Sequence, residues 1–212
     1  MTPQDASARA EEICRLAPVI PVLVIEDAAR ARPLAEALVA GGLPALEVTL
    51  RTPAALDAIR EMAQVPGGVV GAGTLLTPED VAAAKAAGAR FGVSPGATDR
   101  LLDACEAADL PLLPGAATAS EVMALYERGY TVQKFFPAEV AGGAPALKAL
   151  GAPIPQVRFC PTGGVSPRNA GDYLALANVL CVGGSWVAPK QMLAEGDWAG
   201  ITELARKAAG LG

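Results

Sequence analysis

Chemistry in this chain has to proceed without histidine. The 212 residues contain none. That removes Ser-His-Asp and Cys-His arrangements, histidine-ligated metals and imidazole as a general base. Acid–base work falls to Asp, Glu, Lys, Tyr, Cys or water. Against that background the stretch "VQKFFPAE", residues 132–139, stands out. It reads as a buried strand entering a turn, with Lys134 near its centre and apolar residues continuing to Phe136. A lysine at a strand end would snorkel into water. One held in apolar surroundings or near another cation loses basicity, and its neutral amine becomes a nucleophile for carbonyl carbon, forming a Schiff base.

A second candidate lies in "ALEVTLRT", residues 45–52. Side chains alternate along a strand, so Leu46, Val48 and Leu50 share one face and Ala45, Glu47, Thr49 and Arg51 the other. The aliphatic face suits a covering layer of helices, which turns Glu47 and Thr49 inward. An unpaired buried carboxylate is costly and its pKa rises on desolvation. Glu47 therefore calls for a partner, either Arg51 or Lys134. Spacing alone leaves a structural ion pair and a catalytic pair both open.

Two further segments, "PTGGV" and "VGGSW", pair glycines at the ends of strand-like runs. Glycine lets backbone N–H groups approach an anion closely, and tight turns also select it. Gly163, Gly164, Gly183, Gly184 and Ser185 are the candidates for phosphate, with Thr162 adding a hydroxyl. "GAGTL" sets Thr74 at another strand end, and "SPG" sets Ser94, Pro95 and Gly96 at the next. Thr118 and Glu121 have the spacing of a capping box and read as structural. Trp186, Trp198 and the cysteines (Cys14, Cys105, Cys160, Cys181) read as packing residues, with no C-x-x-C pair among them.

The elements that must position these residues form a repeating pattern. β-branched runs end in Gly, Pro, Ser or Thr, and Ala-rich helical stretches follow each. The strand candidates are 19–25, 45–50, 69–75, 90–95, 110–116, 131–137, 156–164 and 179–186, with an extra N-terminal helix over 4–16. Pro53, Pro78 and Pro167, each preceded by Thr or Ser, mark helix starts. Strands alternating with helices imply parallel pairing through right-handed crossovers. An open doubly wound sheet and a closed barrel both fit. Eight units match barrel closure, and no G-x-G-x-x-G turn follows the first strand. The expected fold is α/β, a (β/α)8 TIM barrel with an extra N-terminal helix, as one domain over 1–212. In such barrels the active site lies at the C-terminal ends of the strands.

Composition narrows the partners. The chain is 52% hydrophobic and 18% charged, with net charge −5. That is a globular profile, and it supports neither a nucleic-acid nor a membrane partner. The first fifteen residues are polar and helix-like rather than a signal sequence. A cytoplasmic location is expected.

"PV" at the start of the first strand, "AGGLPALEVTLRT", "VGAGTL", "SPG", "KFFPAE", "QVRFCPTGGVSP" and "CVGGSW" occur in order from about residue 18 to residue 187. Together they closely resemble the 2-keto-3-deoxy-6-phosphogluconate (KDPG) and 4-hydroxy-2-oxoglutarate (KHG) aldolase family. The resemblance implies a metal-free, cofactor-free class I aldolase of Entner-Doudoroff-type sugar acid catabolism, a homotrimer acting on a phosphorylated 2-keto sugar acid and releasing pyruvate. Lys134 would be the Schiff-base lysine and Glu47 the general acid/base. Arg51 and Thr74 would hold the pyruvate-derived part together with Lys134. Thr162 would lie beside the substrate, and Gly163, Gly164, Gly183, Gly184 and Ser185 would receive the phosphate. The competing readings are a phosphate-sugar isomerase or epimerase using Glu47 as base, a non-catalytic phosphometabolite binder, and the aldolase for the C4-epimeric galactonate substrate.

Overall fold

The computed structural model describes residues 1–211. Strands and helices alternate along the chain as the periodicity predicts. The strands are β1 (Val19–Leu23), β2 (Ala45–Thr49), β3 (Val69–Gly73), β4 (Phe91–Val93), β5 (Leu112–Leu113), β6 (Gly115–Ala116), β7 (Val132–Phe135), β8 (Arg158–Pro161) and β9 (Val182–Gly184). The helices before β6 are α1 (Pro3–Cys14), α2 (Ala31–Ala40), α3 (Ala55–Met62), α4 (Pro78–Ala86) and α5 (Asp99–Ala107). After it come α6 (Ala119–Arg128), α7 (Gly143–Gly151), α8 (Ala170–Leu174), α9 (Lys190–Glu195) and α10 (Trp198–Ala209).

All strand pairs are parallel. They form a six-stranded sheet in the order β5-β4-β3-β2-β1-β9 and a three-stranded sheet in the order β6-β7-β8. This differs from eight uninterrupted strands in one ladder. Pro114 divides the expected fifth strand, because its ring nitrogen has no hydrogen to donate. Its carbonyl still accepts from Lys134 N at 2.8 Å. On the other side of the small sheet, β8 meets the β9 segment only through single bridges, Phe159 to Val179 and Thr162 to Gly183.

Alternation sorts the side chains into two cores. Leu46, Val48, Val70, Ala72, Phe135, Phe159 and Val182 pack outward against the helices. Ile20, Ala45, Phe91, Val93, Leu113, Val132, Cys160 and Cys181 form a separate inner cluster with Ala10 and Cys14 of α1. The N-terminal helix thus contributes to the interior on the sheet's N-terminal side. Buried Ser7 ties it there, accepting from Thr131 N at 2.9 Å just before β7.

Helix starts follow local chemistry, with two departures. Thr2, Thr77 and Thr118 each cap a helix in a full capping box with Asp5, Asp80 and Glu121. Pro78 sits at N1 as expected, but Pro53 and Pro167 do not. α3 begins later, at Ala55, because the Thr52 hydroxyl donates to Ile25 O at 2.5 Å instead of capping. α8 begins after Asn169, whose side-chain oxygen accepts from Ser166 N at 2.7 Å.

Candidate active site

Glu47 and Lys134 are the third residues of β2 and β7, and both face the interior above the inner apolar cluster. Lys134 Nζ donates to Glu47 Oε1 at 3.4 Å, with the two side chains 7% and 4% exposed. Of the two partners the sequence allowed for Glu47, the fold supplies Lys134. The ammonium also lies 5.1 Å from the centre of the Phe136 ring, an attractive cation–π separation. The lysine does not snorkel; the apolar run around it closes over it.

Burial is the largest influence on Glu47 and raises its pKa above the ordinary carboxylate value. The Lys134 charge opposes that shift, and Arg51 does so more weakly. Arg51 itself is exposed and makes no ion pair among the described residues. Thr49, the other inward polar residue of β2, is committed elsewhere: its hydroxyl donates to Leu23 O at 2.9 Å and staples β2 to β1.

Inward glycines admit these side chains. A Cβ on Gly73 would sit 2.3 Å from Glu47 Oε1, and one on Gly183 would sit 2.2 Å from Thr162 Oγ1. Composition and motif reading missed the Gly73 role; the signal was the glycine alternation of "VVGAG" opposite Glu47. Thr162 is buried on β8's continuation, beside Gly183, with its hydroxyl 4.0 Å from Cys160 Sγ. Lys134 pairs in register with Cys160, so Thr162 lies two residues further toward the strand's C-terminal end.

Thr74 follows Gly73 with φ of 64°. A β-branched residue in the left-handed region is an outlier costing about 1–3 kcal/mol, and such strain clusters at functional sites. Gly163 and Gly164 have φ of 100° and 80°. Gly183 and Gly184 are buried in β9, and Ser185 is exposed just beyond it. The Gly163 N–H faces Gly183 O in the bridge between Thr162 and Gly183, whereas the N–H groups of Gly164 and Ser185 have no acceptor among the described residues. The ten residues to which the family resemblance gives site roles thus lie on or just beyond β2, β3, β7, β8 and β9, and Ser94, Pro95 and Gly96 follow β4. Among the described residues no group of three or more Cys, Asp or Glu side chains is arranged to hold a metal. No helix there is long and apolar enough to cross a membrane.

A buried amine and carboxylate in contact, at the interior of parallel strands whose ends carry glycine loops, are an arrangement chemically able to serve carbonyl chemistry. Residues 10–204 match the family model described as KDPG and KHG aldolase. The chain belongs to that family. It is 52% identical to the 2-dehydro-3-deoxy-phosphogluconate aldolase of Pseudomonas aeruginosa, over 97% of this chain and 94% of that protein. It is 53% identical to the KHG/KDPG aldolase of Escherichia coli K12, over 94% of each. Among solved structures, the Zymomonas mobilis 2-keto-3-deoxy-6-phosphogluconate aldolase with 3-phosphoglycerate superposes with a TM-score of 0.93, at 52% identity and 97% coverage of both chains. The KDPG aldolase of Legionella pneumophila, with pyruvate captured as a covalent carbinolamine, gives 0.91 at 48% identity, covering 94% of this chain and 98% of that one.

Proposed function

We propose that this chain is a class I aldolase that cleaves 2-keto-3-deoxy-6-phosphogluconate to pyruvate and glyceraldehyde 3-phosphate, and 4-hydroxy-2-oxoglutarate to pyruvate and glyoxylate, in cytoplasmic sugar acid catabolism. The observation that carries this reading is the buried Lys134–Glu47 contact at 3.4 Å. The Lys134 amine adds to the C2 ketone to give a carbinolamine, the kind of adduct captured in the Legionella relative. Loss of water leaves an iminium. Glu47, directly or through a water, takes the C4 hydroxyl proton; the C3–C4 bond breaks and its electron pair enters the iminium, giving an enamine and the aldehyde. Protonation at C3 and hydrolysis release pyruvate and free Lys134. One carboxylate serves both proton transfers when its pKa lies near working pH, and the burial that raises Glu47 moves it that way.

Arg51 and Thr74 hold the pyruvate-derived part and Thr162 lies beside the substrate. The unpartnered N–H groups of Gly164 and Ser185, with Gly163, Gly183 and Gly184 shaping the loops around them, receive the phosphate. The Zymomonas relative's structure is with 3-phosphoglycerate, a three-carbon phosphate ester, which supports a phosphorylated substrate. The two sheets are sectors of one closed (β/α)8 barrel with β5 and β6 as a single strand. The inner apolar cluster and the bridges between β8 and β9 support this. A homotrimer is part of the same reading; Val140, 87% exposed, and Leu76, 58% exposed, are apolar side chains available to a second copy.

Borohydride reduction in the presence of pyruvate tests the chemistry. A pyruvate-derived mass increase is expected on the peptide carrying Lys134. No adduct, or an adduct on another lysine, sinks the proposal.

A further inference from the structure

The loop that follows β8 is held open from behind. Three successive carbonyl oxygens are occupied: Thr162 O accepts from Ala138 N at 2.8 Å, Gly163 O from Glu139 N at 3.1 Å, and Gly164 O from Asn169 Nδ2 at 3.2 Å. In a planar trans peptide the C=O and the following N–H point in opposite directions. Fixing these carbonyls therefore aims the N–H groups of Gly163, Gly164 and Val165 away from residues 138, 139 and 169; that of Gly163 turns to Gly183 O in the bridge to β9, and those of Gly164 and Val165 have no acceptor among the described residues.

The side chain of Glu139 completes the support. A Cβ on Gly164 would lie 2.5 Å from Glu139 Cγ and 2.7 Å from its Cβ, so the Glu139 stem lies flat against this glycine. Its carboxylate accepts from the Tyr173 hydroxyl, presented by α8, in a short hydrogen bond. The Tyr173 residue is 1% exposed. Burial, then the Glu139 carboxylate, pushes its phenol pKa up, so it remains a donor. Gly143, with φ of 66°, leaves room for the bond: a Cβ there would come within 3.5 Å of both bonded oxygens.

We infer that Glu139 and Tyr173 are positioning residues that brace the Thr162–Gly164 loop as an anion cradle, and so set the preference for phosphorylated over unphosphorylated substrate. The inference rests on the phosphate assignment proposed above. Neither residue is placed in contact with the reacting carbons. Loosening the brace should weaken phosphate binding and leave carbon–carbon cleavage alone.

The test compares Tyr173→Phe, Glu139→Ala and Glu139→Gln with wild type, on 2-keto-3-deoxy-6-phosphogluconate and on 4-hydroxy-2-oxoglutarate. Losing one tethering hydrogen bond predicts about a five- to tenfold rise in KM for the phosphorylated substrate. kcat on that substrate and both parameters on the unphosphorylated one should stay within about twofold of wild type. Glu139→Gln keeps an acceptor oxygen for Tyr173 and should behave like wild type. In parallel, inorganic phosphate should raise the Tm of wild type more than that of Tyr173→Phe. Equal losses on both substrates, or no change on either, overturn the inference. If wild type releases pyruvate from neither substrate, the aldolase reading fails separately. The brace is then judged on phosphate alone, and a Tm shift that is absent in wild type or equal in the two proteins overturns it.

Discussion

Gly73→Ala is the most direct probe of how Glu47 is placed. The added Cβ would fall 2.3 Å from Oε1, 2.7 Å from Cγ and 2.9 Å from Cδ, and all three atoms belong to Glu47. Ordinary nonbonded separations are about 3.5 Å, so the carboxylate must retreat by about 1 Å. Misplacing a catalytic group by that much costs about 100-fold in rate, or about 2.7 kcal/mol of transition-state stabilisation. The effect should appear in kcat, measured by coupling pyruvate release to NADH oxidation. Lys134 is not displaced directly, so borohydride should still trap pyruvate on it. The fold should survive, because overpacking costs about 1–3 kcal/mol and replacing glycine returns about 0.4–1 kcal/mol through the unfolded chain. At about 2–4 °C per kcal/mol for a chain of this length, Tm should fall by no more than about 10 °C. A folded Gly73→Ala protein with wild-type kcat and an unchanged pH profile would refute the placement of Glu47 as the proton carrier.

Three other outcomes follow from the same structure. Glu47→Gln should lower kcat by about 10²–10⁴-fold while retaining the borohydride adduct on Lys134, and should remove the acid limb of the wild-type pH–rate profile, whose apparent pKa is expected above the usual carboxylate range; an acid limb that persists in the variant assigns it to another group. Because the folded pKa of Glu47 is raised, its contribution to stability is complete below the unfolded value of about 4.3 and is lost as pH rises through the folded value, so the Tm of wild type relative to Glu47→Gln should decline across that window. Thr118→Ala removes the capping box of α6 and should cost about 1 kcal/mol, lowering Tm by about 2–4 °C without altering kcat; a loss of activity at unchanged Tm would show that this loop does more than start a helix.

Legibility differed from one feature to the next. The face carried by Glu47 was readable because strand alternation is strict, and Leu46 and Val48 do pack outward while Glu47 points in. The Thr118 cap was readable because a capping box is a local hydrogen-bond pattern. Pro53 and Pro167 misled for the converse reason: Thr52 and Asn169 found acceptors and donors outside their own helices, and those contacts moved the helix starts. The division of the fifth strand at Pro114 had a visible cause in the missing N–H. Which sheet each half joins, however, depends on neighbours far away in the chain.

By itself the sequence determined the inventory: no imidazole, one lysine inside an apolar strand, one inward carboxylate, glycine pairs after the late strands, and a family pattern running most of its length. These follow from residue identity and from periodicities of two or a few residues. Only the tertiary structure decided that Lys134, not Arg51, meets Glu47, that Gly73 and Gly183 exist to admit Glu47 and Thr162, and that Glu139 and Tyr173 stand behind the Gly163–Gly164 loop. Each of those is a contact between residues tens of positions apart. Their separation is set by how the strands curl and pair, and no local pattern encodes that distance.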